Sequence, residues 1–132
     1  MDIRVIDTDV WSYLYKGRDE AELYLPHLSG NIPVISFQTQ AELIRWTVSA
    51  GWGQQRRQHL ELRLHKYVVE HSSYALSSRW AEAMESARRS GRPISAADAW
   101  IAATSLLLNA PLVTHNKSHF IGVSGLQVIS ES

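Results

Sequence analysis

Short apolar segments alternate with helical segments along almost the whole chain, and this alternation constrains the fold more than any other feature. Strands separated by helices are typical of a parallel sheet that is covered on both faces. We therefore expect one α/β domain over residues 1–132, in which helices flank a central, mainly parallel sheet in three layers. The expected strands are Ile3 to Ile6, Ile32 to Ser36, Tyr67 to Val69, a short one within Ala110 to Asn116, and one within Leu126 to Ser130.

The segments between these strands carry helix signals such as one-turn apolar spacing and terminal glycines. The most apolar of them, AADAWIAATSLLL, has few charges on any side, which predicts burial on most sides. The expected helices are Thr8 to Lys16, Glu20 to Leu28, Thr39 to Gly51, Gln54 to Lys66, Ser77 to Ser90, and one that begins after Ser95.

Four polar side chains are predicted to gather at one edge of the sheet. Asp7 follows the first strand and Asn116 follows the fourth, while Glu42 and Asp98 lie near helix starts. Parallel sheets place their sites just beyond the carboxyl ends of the strands. These four residues are therefore the candidates for a functional site.

Each acid also has a purely structural explanation. Asp7 is placed to cap the first helix, and both Thr39-x-x-Glu42 and Ser95-x-x-Asp98 fit the capping box. In that arrangement the acid reaches back to the backbone amide of the capping residue. For any one acid taken alone, capping and function both stay open.

Asp98 is expected at the edge of the core, because it begins the most apolar helix. An unpaired buried carboxylate is unfavourable or becomes protonated. The nearest basic residue in sequence is Arg92, so a compensating cation would come from outside the chain. A site rich in carboxylates and free of cysteine favours Mg²⁺ or Mn²⁺ over Zn²⁺.

Charge and cysteine content exclude several classes of protein. The charges of the 13 basic and 13 acidic residues cancel, so net charge gives no argument for nucleic-acid binding. The arginine clusters at 56–63 and 88–92 have two interpretations: they suit phosphate contacts, and they also suit solvated faces of surface helices. The absence of cysteine excludes disulfides and thiol catalysis. The start of the chain is unlike a signal peptide and no long apolar run is present, so we expect a cytoplasmic protein without membrane contact.

Four segments of the sequence resemble the PIN-domain family, and within it the VapC-type toxins of toxin–antitoxin pairs. They occur in the family's order and approximate spacing over nearly the whole chain. The resemblance implies a PIN fold, a homodimer, a cognate antitoxin, and a magnesium-dependent endoribonuclease that cleaves structured RNA, such as transfer or ribosomal RNA, and inhibits translation. The segments are VIDTDV (5–10), ISFQTQAEL (35–43), ISAADAWIAATSL (94–106) and LVTHNKSHF (112–120).

The resemblance also implies a role for each candidate residue. Asp7 and Asp98 would ligate Mg²⁺ directly, with Mn²⁺ as a substitute. Glu42 would ligate it through water or orient the attacking water, and Asn116 would hydrogen-bond a water or the phosphate. The chain departs from the family at two positions: members commonly have Asn in place of Asp9, and often an acid in place of His119.

Three other functions fit parts of the sequence. Asp7-x-Asp9 is similar to the first motif of haloacid-dehalogenase-type phosphatases, but Glu131 is the only acid after Asp98 and a second acidic pair is required. A receiver domain needs an aspartate after the middle strand, and none occurs between Asp19 and Asp98. A catalytically inactive PIN-like module that binds RNA or a partner stays open because position 119 lacks an acid.

The histidines and tryptophans allow more than one interpretation. His115 and His119 are four residues apart, which suits zinc on a helix, but a turn that brings His119 near the site is the favoured interpretation. The five tryptophans are candidates for the core. An exposed apolar surface used in dimer or antitoxin binding is the alternative for three of them, Trp11, Trp46 and Trp52.

Overall fold

Five strands and six α-helices make up the structure, a computed structural model that describes residues 1–132. None of the helices is both long and apolar enough to cross a membrane. The strands are β1 (Ile3–Ile6), β2 (Ile32–Ser36), β3 (Val68–Glu70), β4 (Leu112–Val113) and β5 (Val128–Ile129). The helices are α1 (Thr8–Lys16), α2 (Ala21–Leu28), α3 (Phe37–Ser49), α4 (Gln54–Leu64), α5 (Tyr74–Arg89) and α6 (Ala96–Leu108), and a 3₁₀ turn spans Lys117–Phe120.

The five strands form one sheet in the order β3-β2-β1-β4-β5, and every neighbouring pair is parallel. In the centre, Val5 of β1 lies opposite Val34 of β2 on one side and Leu112 of β4 on the other. The chain builds outwards from β1 in both directions, so the boundary between β1 and β4 is a topological switch point. The predicted α/β class and the parallel sheet are confirmed.

Two hydrophobic cores cover the two faces of the sheet and give the three predicted layers. Successive residues of a strand point to opposite faces, so Val5 enters one core and Ile6 enters the other. The core around Val5 is closed mainly by small residues of α5 and α6, such as Ala83 and Ala102. The core around Ile6 is closed by larger side chains of α1, α3 and α4, among them Trp11, Leu43 and Leu60.

Serine caps decide where three helices begin, and two of these starts differ from the prediction. The Ser36 hydroxyl accepts a hydrogen bond from the amide of Gln38, so α3 begins at Phe37 and Thr39 lies inside it. The predicted cap at Thr39 is therefore wrong. Ser73 caps α5, which begins at Tyr74, three residues before the predicted Ser77. Ser95 caps α6 as predicted.

The interpretation of three tryptophans as an exposed surface is wrong for two of them. Trp11 and Trp52 are only 1% and 9% exposed, and both belong to the core around Ile6. Trp46 is half-buried, and the Lys16 ammonium lies 4.5 Å from its ring centre. A cation over such a ring is a favourable contact.

Candidate functional site

Asp7 occupies the switch point of the sheet. It follows the last residue of β1 and caps α1, because its Oδ1 accepts a hydrogen bond of 2.8 Å from the amide of Thr8. Its Oδ2 accepts a second bond of 2.7 Å from the hydroxyl of Thr114, which follows β4. Asp7 is only 6% exposed, so β1 and β4 hold this carboxylate at the floor of the site.

Glu42 is joined to Asp7 through Thr8. The Thr8 hydroxyl donates a 2.5 Å hydrogen bond to Oε2 of Glu42 and also lies 3.0 Å from the hydroxyl of Thr39. The side-chain amide of Gln38 donates to the other oxygen of Glu42. Glu42 therefore lies at the predicted site, but its carboxylate does not take part in a capping box.

Asp98 lies in the first turn of α6, where the Ser95 cap fixes the backbone. Its Oδ2 is 3.5 Å from Nδ1 of His119 in the 3₁₀ turn. The sequence offered no nearby basic residue, but the fold supplies this imidazole. His119 is thus at the site, as the turn interpretation predicted, and it faces Asp98 directly.

The side chain of Asn116 contacts Asp9 at the site, whereas no hydrogen bond joins it to Asp7. Its side-chain amide donates a 3.0 Å hydrogen bond to Oδ2 of Asp9, and the same oxygen accepts from the backbone amide of His115. Oδ1 of Asp9 accepts from the amide of Val10. Asp9 therefore fixes the loop after β4 against the start of α1.

Burial favours the protonated forms of Asp7 and Asp98 when no cation is present. Burial raises the pKa of Asp7 to about 8, and the charges of Asp9 and Asp98 add to this rise. Burial also raises the pKa of Asp98, while the neighbouring His119 partly offsets the effect. Several carboxyls held together out of water are the condition that a bound cation relieves.

The donor set fits a hard divalent cation held by few protein ligands. As the side chains stand, no three carboxylate or imidazole groups converge closely enough to surround an ion on their own. Mg²⁺, however, keeps several waters and commonly uses one or two carboxylates. Asp7 and Asp98 are close enough for one charge to raise the pKa of the other, so this pair is the candidate for such ligation.

The alternative of a zinc pair at His115 and His119 is wrong. Nδ1 of His115 hydrogen-bonds the buried hydroxyl of Tyr24, whereas His119 faces Asp98. The two imidazoles therefore have different partners, and His115 lies before the 3₁₀ turn that carries His119.

Sequence reasoning missed the threonines that organise the site. Thr8 joins two predicted acids, and Thr114 bonds Asp7 directly. Thr8 follows the predicted first strand by two residues, and Thr114 lies within the segment predicted to hold the fourth; this closeness to strand ends is the signal that could have identified them. Their contacts depend on β4 lying beside β1, which the local pattern does not specify.

Comparison with known proteins gives a consistent family. The model of the PIN domain family matches residues 4–125. Ribonuclease VapC1 of Haemophilus influenzae strain R2866 is 32% identical over 127 residues, which cover 95% of each protein. In the structure of VapBC-1 from nontypeable Haemophilus influenzae, a chain that is 30% identical superposes with a TM-score of 0.81, and 97% of each chain is covered.

A second solved structure has the same fold at lower identity. It is VapBC2 from Rickettsia felis bound to a DNA fragment from their promoter, with 25% identity, a TM-score of 0.81, and coverage of 98% of this chain and 99% of that one. The predicted resemblance is confirmed by sequence and by structure. The chain belongs to the PIN-domain family, as one of its VapC-type members.

Proposed function

We propose that the protein is a metal-dependent endoribonuclease that acts as the toxin of a toxin–antitoxin pair. The observation that carries this proposal is the buried carboxylate of Asp7 at the switch point of the sheet, with Asp98 and Glu42 beside it. The name of the relatives, Ribonuclease VapC1, supports the same activity.

Each residue has a role that its position suits. Asp7 and Asp98 would hold Mg²⁺ or Mn²⁺, which when bound supplies Lewis-acid polarisation of the phosphodiester and lowers the pKa of water. Glu42, fixed by Thr8 and Gln38, would orient the attacking water and accept its proton. Asn116, exposed at the rim, would donate a hydrogen bond to the phosphate or to a water.

Substitution of the two acids tests this proposal. Asp7→Asn and Asp98→Asn should each lower Mg²⁺-dependent RNA cleavage by at least about 100-fold, since each removes a charge that the ion requires. Asp19→Asn, which changes an exposed aspartate, is the matched control and should cleave normally. Circular dichroism checks that the fold persists. Full activity in either folded variant would refute the assignment.

An antitoxin partner is proposed for the groove between α1, α2 and α4. The groove has a volume of about 690 Å³, with Leu14, Leu25 and Leu28 along its wall and Arg18 and Arg63 among its lining. It suits an apolar peptide or helix with acidic residues. The two solved structures compared above are of VapBC proteins, which supports a partner of this kind.

Co-expression with the product of any short reading frame found next to this gene tests the partner. Leu25 is 51% exposed in the groove, so Leu25→Asp should abolish co-purification without unfolding the chain. Ile121 lies outside the groove and is 55% exposed, so Ile121→Asp is the matched control. Equal co-purification of both variants would place the partner elsewhere.

The finer predictions concern the substrate, the compartment and the assembly. We propose transfer or ribosomal RNA as the target, in the cytoplasm, with inhibition of translation as the consequence, and a homodimer as the active form. Primer extension on total RNA after induced expression would locate the cut. Light scattering at micromolar concentration would show whether the protein dimerises.

The contact between His119 and Asp98 favours a second candidate, an inactive PIN-like module that binds RNA or a partner. The His119 imidazole lies against Oδ2 of Asp98, an oxygen that a bound ion would need as a ligand. Magnesium titration separates the two functions. A catalytic site binds the ion and cleaves RNA, and an inactive one does neither.

A further inference from the structure

One buried hydroxyl, that of Tyr24 on α2, joins three parts of the chain. The Tyr24 side chain is fully buried. Its hydroxyl lies 2.5 Å from Nδ1 of His115 in the loop after β4, and it accepts a 3.0 Å hydrogen bond from the amide of Glu131, which follows β5. A longer contact of 3.4 Å joins it to the carbonyl of Thr114. The hydroxyl therefore fastens the loop after β4 and the end of the chain to α2.

The direction of the bond between Tyr24 and His115 follows from the protons that are available. A tyrosine hydroxyl has one proton to donate, and the bond to Glu131 does not use it, because there the amide is the donor. Nδ1 of His115 is the nearer of the two acceptors, so it receives this proton. The ring of His115 is thereby held in one orientation, with its own proton on Nε2.

Further contacts fix His115 from two other elements. Its ring meets that of Tyr13 on α1 edge to face, with ring centres 5.5 Å apart, and meets the ring of Tyr24 in the same way at 5.6 Å. Its backbone amide donates a 3.0 Å hydrogen bond to Oδ2 of Asp9. Because α1, α2 and an acid beside the site all contact His115, this residue has little freedom to turn.

His115 stands between the two residues of this loop whose side chains contact the acids. The hydroxyl of Thr114 donates to Oδ2 of Asp7 and accepts a hydrogen bond from the amide of Asn116. The side chain of Asn116 donates to Asp9. A rotation of the backbone at His115 would move both neighbours, so a side chain that holds His115 acts on both of them.

We propose that Tyr24 is a positioning residue of the nuclease site: its hydroxyl, through His115, holds the loop that carries Asn116. The inference rests on the ribonuclease function proposed above and adds to it a residue that touches neither the metal nor the RNA. Groups that orient the residues around a metal commonly change activity by about 10- to 100-fold when they are removed. Tyr24 acts in this way from a helix that supplies none of the four candidate residues.

Cleavage kinetics of matched variants test the proposal, with end-labelled bulk transfer RNA and Mg²⁺ as the assay. Tyr24→Phe removes the hydroxyl and keeps the buried ring. His27→Ala is the control, since His27 lies one turn further along α2 and its Nε2 is 2.7 Å from Glu131, with no hydrogen bond to the loop after β4. His115→Leu removes the acceptor of the bond from Tyr24, whereas His115→Asn places an oxygen where Nδ1 was.

Tyr24→Phe should lower kcat by about 10- to 100-fold and leave KM within about twofold, because the loop aligns groups for the reaction while most RNA contacts lie elsewhere. His27→Ala should cleave as the wild type does. His115→Leu should lose as much as Tyr24→Phe, and His115→Asn should recover most of that loss. In an Asn116→Ala background, Tyr24→Phe should have no further effect on kcat, since Tyr24 acts through the loop.

Amide hydrogen exchange gives a second readout that does not depend on cleavage. The amide of His115 donates to Asp9, and that of Asn116 donates to Thr114. In Tyr24→Phe the exchange of these two amides should accelerate by about 10-fold more than that of the amides of β1. General destabilisation would instead accelerate the loop and β1 alike.

Two results would overturn the proposal. One is a wild-type kcat in folded Tyr24→Phe, and the other is a loss that adds in full to that of Asn116→Ala while exchange rises uniformly. If Tyr24→Phe fails to fold, the comparison of His115→Leu with His115→Asn provides the same test. A wild-type protein that cleaves no RNA would refute the nuclease proposal, and the exchange rates would still show whether Tyr24 holds the loop.

Discussion

At the scale of single residues, Asp7 shows how the fold creates a reactive group. Its carboxyl accepts two hydrogen bonds, which favour the charged form, but its burial and the neighbouring Asp9 outweigh them and raise its pKa to about 8. In water the same carboxyl would be ionised above about pH 4. The fold therefore holds a proton at Asp7 that only a cation or a rise in pH removes.

This raised pKa predicts how stability depends on pH in the presence of a chelator. Between about pH 4 and 8 the folded state keeps the Asp7 proton and the unfolded chain does not, so the free energy of unfolding should fall as pH rises. The slope from this residue is at most about 1.4 kcal/mol per pH unit. Urea unfolding at several pH values measures it.

Variants separate Asp7 from the other acids. Asp7→Asn has no proton to hold, so it should flatten the fall in stability between pH 5 and 8. Asp19→Asn, at an exposed position, should leave the slope unchanged. A slope in Asp7→Asn as steep as in the wild type would mean that another group carries the pH dependence.

At the scale of elements, the serine at a helix start decides the direction in which an acid points. The Ser95 hydroxyl accepts a hydrogen bond from the backbone amide of Asp98, which fixes the first turn of α6 and aims the Asp98 carboxyl at His119. In α3 the cap is Ser36, one turn earlier than the sequence pattern indicated, so Thr39 is buried and faces Thr8.

Removal of the α6 cap should therefore affect both stability and the site. Ser95→Ala should lower the free energy of unfolding by about 1 kcal/mol, while Ser95→Asp, another good capping residue, should restore most of it. Chemical denaturation measures both variants. Equal stability of Ser95→Ala and the wild type would show that the backbone of the first turn is held by packing alone.

At the scale of the whole molecule, the two cores clamp strands that are too short to be stable alone. β4 has only two residues, yet it places Thr114, the residue that follows it, in hydrogen-bond contact with Asp7. Both side chains of β4 are fully buried, on opposite faces of the sheet. Leu112 belongs to the core around Val5 and Val113 to the core around Ile6. The position of the site thus depends on packing on both sides.

Truncation of a buried side chain in this strand should lower the stability of the fold. Leu112→Ala should lower the free energy of unfolding by about 2–5 kcal/mol, because it leaves a cavity between α6 and the sheet. Leu62→Ala, at a position that is 65% exposed on α4, should change it by less than about 0.5 kcal/mol. Thermal or chemical unfolding of the two variants, side by side, measures the difference.

The sequence by itself determined the elements and the location of the candidate site. The alternation of apolar strands with helices is a local pattern, and it predicted the parallel α/β fold, the position of Asp7 after β1 and the Ser95 cap. Local patterns are reliable here because the periodicity of burial is set by the geometry of each element.

Only the tertiary structure decided which side chains meet at the site. Thr114 and Asp7 are 107 residues apart, as are Asn116 and Asp9, and the contact of His119 with Asp98 likewise joins two different elements. They exist because β4 lies beside β1, an arrangement that results from burial of both faces of the sheet at once. Pairing of strands across the chain has no periodic signal in the sequence, so these contacts could be identified only in three dimensions.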